Sequence, residues 1–178
     1  MKKFTLYKIP ILIELFCPFE NSKKLTDVER NIIRRTRNAN KIILDRYSTG
    51  CADDAIVFMS LARSLNITTF YVETLEKRWL ERLKKEILYP IEGHIFCDVV
   101  IGNRVIPFNP RYGKTEIEDG YYIRDPKGKR VKYEVLGKGL DFTQVYLKMN
   151  ENFETKPTSL QTIEKLKKAI IKRYIKNP

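Results

Sequence analysis

Residues 51–74 read CADDAIVFMSLARSLNITTFYVET, and this stretch decides the fold. Positions 52–65 place apolar side chains on nearly every side of a helix, which is typical of a helix buried at the centre of a domain. Asn66 suits the left-handed position that follows such a helix. The β-branched and aromatic residues 67–74 then predict a strand. A buried helix therefore leads directly into a sheet.

The strands that follow are predicted to pair as antiparallel hairpins. Residues 94–101 and 104–109 flank Gly102-Asn103, a sequence typical of a two-residue hairpin turn. The turn residues 125–128, Asp-Pro-Lys-Gly, indicate a second hairpin. Helices followed by an antiparallel sheet define the α+β class.

Three further helices are predicted from the spacing of apolar residues. The first begins at a capping box formed by Thr26 and Glu29 and continues on one helical face to about Leu44. The second helix ends before Pro90 and is predicted from apolar residues spaced by four, which are Leu75, Trp79, Leu83 and Ile87. The third is a basic amphipathic helix at 159–174, in the C-terminal part of the chain (113–178) that also holds the second hairpin.

The length and charge of the chain limit its class. With 178 residues the chain fits one ordinary domain, so we expect residues 1–178 to share one core. Lys and Arg number 34 against 22 Asp and Glu, a formal charge of +12 that is typical of a nucleic-acid-binding protein. The cations recur along the whole chain, mostly opposite apolar helical faces, and this distribution favours a solvated surface. Nucleic acid is therefore the less favoured partner.

The cysteines and the start of the chain bear on its location. Cys17, Cys51 and Cys97 are odd in number and form no CxxC pair, which indicates a reducing compartment. The apolar opening is interrupted by charged residues and by Pro10, unlike a signal peptide, and no window is apolar enough for a membrane helix. We expect a cytoplasmic protein with no membrane partner and no metal or organic cofactor.

One histidine, His94, limits any imidazole chemistry to a single position. Cys51 lies at the expected start of the buried helix, where the helix dipole favours a thiolate. The hairpin brings its strand ends together, so Asn109 is expected within hydrogen-bonding reach of His94. A thiol, an imidazole that takes its proton and an amide that orients the imidazole make an activated nucleophile. The Cys51 N–H would be one oxyanion donor, and Tyr47 is the best candidate for the second.

Four other side chains are expected to be structural. Asp53 and Asp54 are predicted to complement the helix dipole in the first turn rather than to act as acids or metal ligands. Cys97 is expected in the core, because strand alternation points it away from the face of His94. Trp79 is expected to pack into the core from its own helix.

The residues around the nucleophile carry a family resemblance. The segments Thr49-Gly50-Cys51-Ala52-Asp53-Asp54-Ala55, Gly93-His94-Ile95-Phe96 and Phe108-Asn109-Pro110 resemble three ordered motifs of the transglutaminase-like core, within residues 45–112. That family usually has Asp where this chain has Asn109, an amide that papain-like enzymes also use. It usually has Trp where this chain has Phe96. Neither difference removes the nucleophile or the base.

The resemblance implies a papain-like, transglutaminase-like fold and a cysteine hydrolase that cleaves an amide bond through a thioester. A peptidase acting on a peptide or protein is the leading hypothesis. Transfer to an amine instead of water stays open, as do the substrate and the oligomeric state. The alternative from another class is a catalytically inactive scaffold of this fold that binds nucleic acid or protein through its basic surface. Arylamine acyl transfer would use the same triad, but the chain is short for that family.

Overall fold

Short helices lead into an antiparallel sheet. The computed structural model of the chain describes residues 8–26, 29–30, 33, 36–84, 92–111, 113–114, 121–124, 128–141 and 144–145. The helices are α1 (Ile9–Phe16), a 3₁₀ helix (Phe19–Lys24), α2 (Ala39–Asp45), α3 (Cys51–Ser64) and α4 (Lys77–Lys84). The strands are β1 (Thr69–Glu76), β2 (Gly93–Ile101), β3 (Arg104–Asn109), β4 (Gly113–Lys114), β5 (Tyr121–Arg124) and β6 (Arg130–Gly139). The α+β class is confirmed.

The six strands form one sheet in the order β4-β3-β2-β1-β6-β5, and every neighbouring pair is antiparallel. Ile101 pairs with Arg104 around Gly102, whose φ of 59° is left-handed, so the first predicted hairpin is confirmed. The second hairpin is confirmed as well, because β5 pairs with β6. The first turn lies at Gly102, where the turn residues of the sequence indicate it.

The sheet is strongly curled. The ring centroids of Phe96 on β2 and Tyr121 on β5 are 5.2 Å apart. Two strands, β1 and β6, lie between them in the sheet, and strands about 4.8 Å apart would put β2 and β5 about 14 Å apart if the sheet were flat. The sheet therefore bends until β5 faces β2, which makes a concave surface that carries Phe96 and Tyr121.

Helix α3 packs on the opposite face of the sheet. The Cys97 Sγ lies 3.8 Å from the carbonyl oxygen of Ala55 in that helix, and both residues are fully buried. Phe58 of α3 and Phe108 of β3 stack with ring centroids 5.0 Å apart. The predictions of a buried central helix and of Cys97 in its core are confirmed.

The end of α3 follows the predicted pattern. Asn66 has a φ of 55° and its N–H donates to the carbonyl oxygen of Arg63 at 2.9 Å. The N–H of Ile67 donates back to the carbonyl oxygen of Ala62 at 3.0 Å. These two bonds close a helix with a left-handed residue at the position after its cap, which sends the chain into β1.

The predicted helix from Thr26 to about Leu44 is wrong as one continuous element. The capping box is present, since the Thr26 N–H donates to Glu29 Oε2 at 2.7 Å and the Glu29 N–H donates to Thr26 Oγ1 at 3.2 Å. The chain leaves the helical conformation before Asn38, whose side chain accepts from the Lys41 N–H at 2.9 Å and so begins α2 as a new helix.

The helix predicted from Leu75 begins two residues later. Leu75 is in β1 and pairs with Gly93, and α4 starts at Lys77. Trp79 is buried, as expected. The predicted second half of this helix and the C-terminal helix at 159–174 lie outside the described residues. None of the helices in the described part of the chain has the length and apolar character needed to cross a bilayer.

Candidate active site

Cys51 is the first residue of α3 and follows a backbone conformation that only glycine adopts easily. Gly50 has φ 138° and ψ −162°. The first bond of the helix runs from the Asp54 N–H to the Gly50 carbonyl oxygen at 3.1 Å. Cys51 is partly exposed at this helix start, where the helix dipole stabilises negative charge. The glycine before the cysteine therefore allows the sharp entry into the helix.

Asp53 holds the loop that precedes Cys51. Its Oδ2 accepts from the Thr49 N–H at 2.8 Å and from the Thr49 hydroxyl at 2.7 Å. Arg37 Nη2 donates to the same oxygen, and Arg37 Nη1 donates to Asp45 at 3.0 Å. The Asp53 side chain is fully buried, so its charge is balanced inside the protein by the Arg37 guanidinium.

Asp54 joins the helix start to the strand that ends at Asn109. The Arg111 guanidinium donates to both Asp54 carboxylate oxygens, from Nε at 2.8 Å and from Nη2 at 2.9 Å. Burial raises the pKa of Asp54, and Arg111 and Ser48 oppose that rise through their hydrogen bonds. Both aspartates lie in the first turn as predicted, and each has an arginine partner that the sequence interpretation did not include.

His94 lies near the start of β2 in a closely packed setting. A Cβ added to Gly93 would stand 2.5 Å from the carbonyl oxygen of Thr74, so only glycine fits before the histidine. The Thr74 hydroxyl donates to the His94 carbonyl oxygen at 2.8 Å and fixes its backbone on β1. The imidazole packs against Phe96, with ring centroids 4.9 Å apart. These contacts set the position of the ring.

The structure brings His94 and Asn109 together. The Asn109 side chain is near enough to the His94 ring to raise the pKa of that ring, and it is buried, with 3% of its surface exposed. Its Oδ1 also accepts the Arg111 backbone N–H at 3.2 Å. The His94 Nε2 is buried without a close hydrogen-bond partner among the described residues. The ring therefore has an amide to orient it and a nitrogen that can exchange a proton.

The surroundings keep the His94 ring neutral at physiological pH. Burial lowers its pKa to about 4, the hydrogen bond with Asn109 opposes this, and the positive charge of Arg111 adds to the lowering. An interaction that raises the pKa of a histidine favours the protonated ring. A neutral imidazole is the form that can accept a proton.

Tyr133 packs beside the ring of His94. Its ring centroid is 6.0 Å from that of His94 and 5.6 Å from that of Phe96. Burial raises the Tyr133 pKa to about 12, and negative charge on Glu76 and on Cys51 contributes to the rise. Sequence analysis did not single out Tyr133, because only the curl of the sheet brings β6 to this site.

The other two thiols differ from Cys51 in their surroundings. Cys17 and Cys97 are fully buried, whereas Cys51 is partly exposed. Burial raises the pKa of Cys17 to about 11 and that of Cys97 well above its ordinary value, with nearby aspartates adding to both. Both buried thiols therefore stay protonated and poorly reactive at neutral pH.

Tyr47 lies in the loop that Arg37 holds. The Arg37 Cζ is 4.4 Å from the centroid of the Tyr47 ring, and Arg37 Nη2 donates to the Tyr47 carbonyl oxygen at 3.3 Å. The side chain thus packs against the guanidinium that pairs with Asp53. Its expected role as the second oxyanion donor stays a prediction.

The arginine partners could have been sought from one signal in the sequence. Asp53 and Asp54 stand in a helix that is otherwise apolar on most sides, so both carboxylates are buried with it. A buried carboxylate needs a charged or hydrogen-bonding partner. The sequence does not say which of the many arginines provides it, since Arg37 and Arg111 come from opposite sides of α3 in the chain.

Comparisons with known proteins leave the site to be judged on its own geometry. No protein-family model, no curated protein and no solved structure matches this chain. Within the described residues, no group of three or more His, Cys, Asp or Glu side chains is arranged to hold a metal ion.

Proposed function

We propose that this protein is a cysteine hydrolase of the transglutaminase-like, papain-like kind that cleaves an amide bond of a peptide or protein. The observation that carries the proposal is the closeness of the buried Asn109 amide to the ring of His94, the only histidine of the chain. The position of Cys51, a partly exposed residue at the start of a buried helix, supports it. The ring of Tyr133 lies 6.0 Å from that of His94 between centroids, and negative charge on Cys51 adds to the rise of the Tyr133 pKa.

The reaction proceeds in two acyl-transfer steps. Cys51 Sγ attacks the carbonyl carbon of the substrate while its proton passes to the imidazole of His94. The amine leaves with that proton as the C–N bond breaks, and a thioester remains on Cys51. Water then attacks the thioester, His94 takes a proton from the water, and the thiol is released with the proton returned. A peptide acid and a free amine are the products of hydrolysis.

Each residue has a role that follows from its surroundings. Asn109 accepts a hydrogen bond from the ring and keeps the imidazole in one orientation. The backbone N–H of Cys51 lies at the positive end of α3, where it can donate to the oxygen of the tetrahedral intermediate. His94 is neutral at pH 7, the form in which the ring can accept the thiol proton in the first step, and its low pKa makes it a weaker base than a free imidazole.

Trapping of the acyl group on the protein tests the proposal. The purified protein is mixed with a p-nitrophenyl ester of a short acylated peptide and its intact mass is followed. We expect one acyl group on Cys51 in the wild type and none in Cys51→Ala. Cys17→Ala, which removes a buried thiol, is the matched control and should still be acylated. Added primary amine tests transfer, because an amide product instead of acid would identify an acyltransferase.

The high positive charge favours a second candidate, a catalytically inactive scaffold of this fold that binds nucleic acid. The chain carries a formal charge of +12. Titration of labelled RNA and duplex DNA at several salt concentrations tests it, because phosphate contacts give a steep salt dependence. Tight binding at physiological salt that Cys51→Ala leaves unchanged, together with no acylation of Cys51 in the wild type, would replace the hydrolase proposal.

A further inference from the structure

Arg111 contacts three parts of the chain around the candidate active site. Its guanidinium donates to both oxygens of Asp54 at 2.8 and 2.9 Å, and its Nη2 lies 3.5 Å from the Ser48 hydroxyl. Its Nη1 donates to Glu14 of α1 at 3.2 Å. Its backbone N–H donates to Asn109 Oδ1 at 3.2 Å. One residue thus connects the start of α3, the helix α1 and the end of β3.

We propose that Arg111 is a positioning residue that fixes the Asn109 amide with its oxygen towards His94 and holds the end of β3 against the first turn of α3. The inference rests on the proposed function, in which Asn109 orients the histidine. Arg111 acts through Asn109 and does not touch the reacting atoms.

The two ends of an amide side chain have nearly the same shape, so hydrogen bonds decide which end faces a neighbour. The Arg111 backbone N–H is a donor, and it selects the oxygen of Asn109 rather than the NH₂ group at its own position. The amide oxygen has two lone pairs and can accept from the imidazole N–H as well. In the orientation that Arg111 selects, the amide oxygen can accept from the imidazole N–H, and this contact stabilises the protonated ring.

The guanidinium explains why this backbone donor stays in place. Asp54 is 1% exposed, and its carboxylate is bound by Arg111 in a two-pronged contact that a lysine ammonium cannot reproduce. The side chain of Arg111 is only 17% exposed. Asp54 and Glu14 also balance its charge, which limits the effect of the cation on His94. The side chain thus anchors the backbone N–H that Asn109 needs.

Arg111→Lys tests the proposal, because it keeps the charge and removes the two-pronged contact. Two readouts are used: the rate of Cys51 alkylation by iodoacetamide, and the ¹⁵N shifts of the His94 ring at pH 7, which report the nitrogen that carries the proton. We expect the alkylation rate to fall about tenfold, the loss that misplacing an orienting group by a fraction of an ångström brings. We also expect the single ring tautomer of the wild type to become a mixture.

Arg63→Lys is the matched control. Arg63 lies at the other end of α3 and its Nη2 donates to the Thr69 carbonyl oxygen at 2.8 Å, so it also joins the helix to the sheet. The control should lose stability and leave both readouts unchanged. A folded Arg111→Lys variant with the wild-type tautomer and alkylation rate would overturn the proposal.

A measurement on the unmodified protein covers the case in which Arg111→Lys does not fold. A long-range HNCO experiment detects coupling across the hydrogen bond from the Arg111 N–H to the Asn109 side-chain carbonyl. A cross-peak supports the proposal and its absence overturns it. Failure of the proposed function looks different: Cys51 in the wild type would then react no faster than free cysteine, while the His94 tautomer would still respond to Arg111→Lys.

Discussion

Asp53 Oδ2 accepts both the backbone N–H and the hydroxyl of Thr49, at 2.8 and 2.7 Å, and so ties the loop before the nucleophile to the helix that carries it. The same oxygen binds the Arg37 guanidinium. Burying a charge costs free energy, and its hydrogen-bond partners offset that cost only while all of them stay in place. The entry to α3 is therefore rigid, and a fixed position of Cys51 follows from it.

We expect Asp53→Asn to destabilise the protein by about 3–5 kcal/mol, because the substitution removes the fully buried carboxylate of the two, Asp53 and Asp45, that pair with Arg37. Urea unfolding followed by circular dichroism measures the change in the free energy of unfolding. Glu20→Gln is the control, since the Glu20 side chain is 68% exposed and pairs, within the described residues, with the exposed Lys23. It should cost less than about 1 kcal/mol. Equal losses in the two variants would contradict the role given to Asp53.

Gly50→Ala should cost about 1–3 kcal/mol, because φ 138° with ψ −162° is a conformation that a Cβ makes unfavourable. The substitution should also slow alkylation of Cys51, since the strain is relieved by moving the residue next to it. Gly128→Ala, at a φ of 77° in the turn between β5 and β6, is the matched control. It should cost roughly 1–2 kcal/mol and leave Cys51 alkylation unchanged. If alkylation of Cys51 slows equally in both variants, the cause is a general loss of stability and not the backbone conformation of Gly50.

The curl of the sheet depends on a buried carboxylate. The Tyr121 hydroxyl donates to Asp98, at 2.9 Å from Oδ1 and 3.0 Å from Oδ2, and Lys138 pairs with the same carboxylate. Tyr121→Phe should therefore cost about 1–3 kcal/mol in thermal or urea unfolding. Tyr122→Phe, the next residue on β5, whose ring contacts Arg130, should change stability by less than about 0.5 kcal/mol. A Tyr121→Phe variant with an unchanged free energy of unfolding would show that the contact with Asp98 does not hold β5 against β2.

The single histidine makes its own titration directly visible. The His94 pKa of about 4 is below the ordinary value of 6.5, so the folded state excludes a proton that the unfolded state binds. This contribution to stability is complete above pH 6.5 and is lost as the pH falls towards 4, by at most about 3 kcal/mol. The Hε1 resonance of His94 measures the folded pKa, and unfolding of wild type and His94→Gln at several pH values measures the stability. A folded pKa near 6.5 would contradict the burial of the ring.

The sequence predicted those parts of the fold that depend on neighbouring residues. The apolar surface of α3, the left-handed Asn66 after it and the two hairpin turns are local signals, and the structure has all of them. The one long helix predicted from Thr26 failed because Asn38, a good capping residue inside the predicted span, begins a new helix there. Local spacing alone does not separate a cap from an interior position.

The parts that sequence reasoning missed depend on distant residues. The pairing of Asp53 with Arg37 and of Asp54 with Arg111 requires knowledge of which chain segments flank α3. Tyr133 reaches the candidate site only because the sheet curls, which the order of strands in the sequence does not reveal. The meeting of His94 with Asn109 was predictable, since one hairpin joins them. A hairpin brings together residues that are distant in the sequence, and its turn can be recognised from the sequence itself.

The rate of Cys51 alkylation in wild type and in His94→Gln tests the central claim most directly. Iodoacetamide is added at pH 6, and peptide mapping follows Cys51, Cys17 and Cys97 separately. We expect Cys51 to be the first of the three thiols to react in the wild type. Its rate should be about tenfold higher than that of Cys51 in His94→Gln. This difference in rate should persist until the pH approaches 4, where the His94 ring takes a proton. Equal Cys51 rates in the two proteins, or faster labelling of Cys17 or Cys97, would contradict an activated thiol at Cys51.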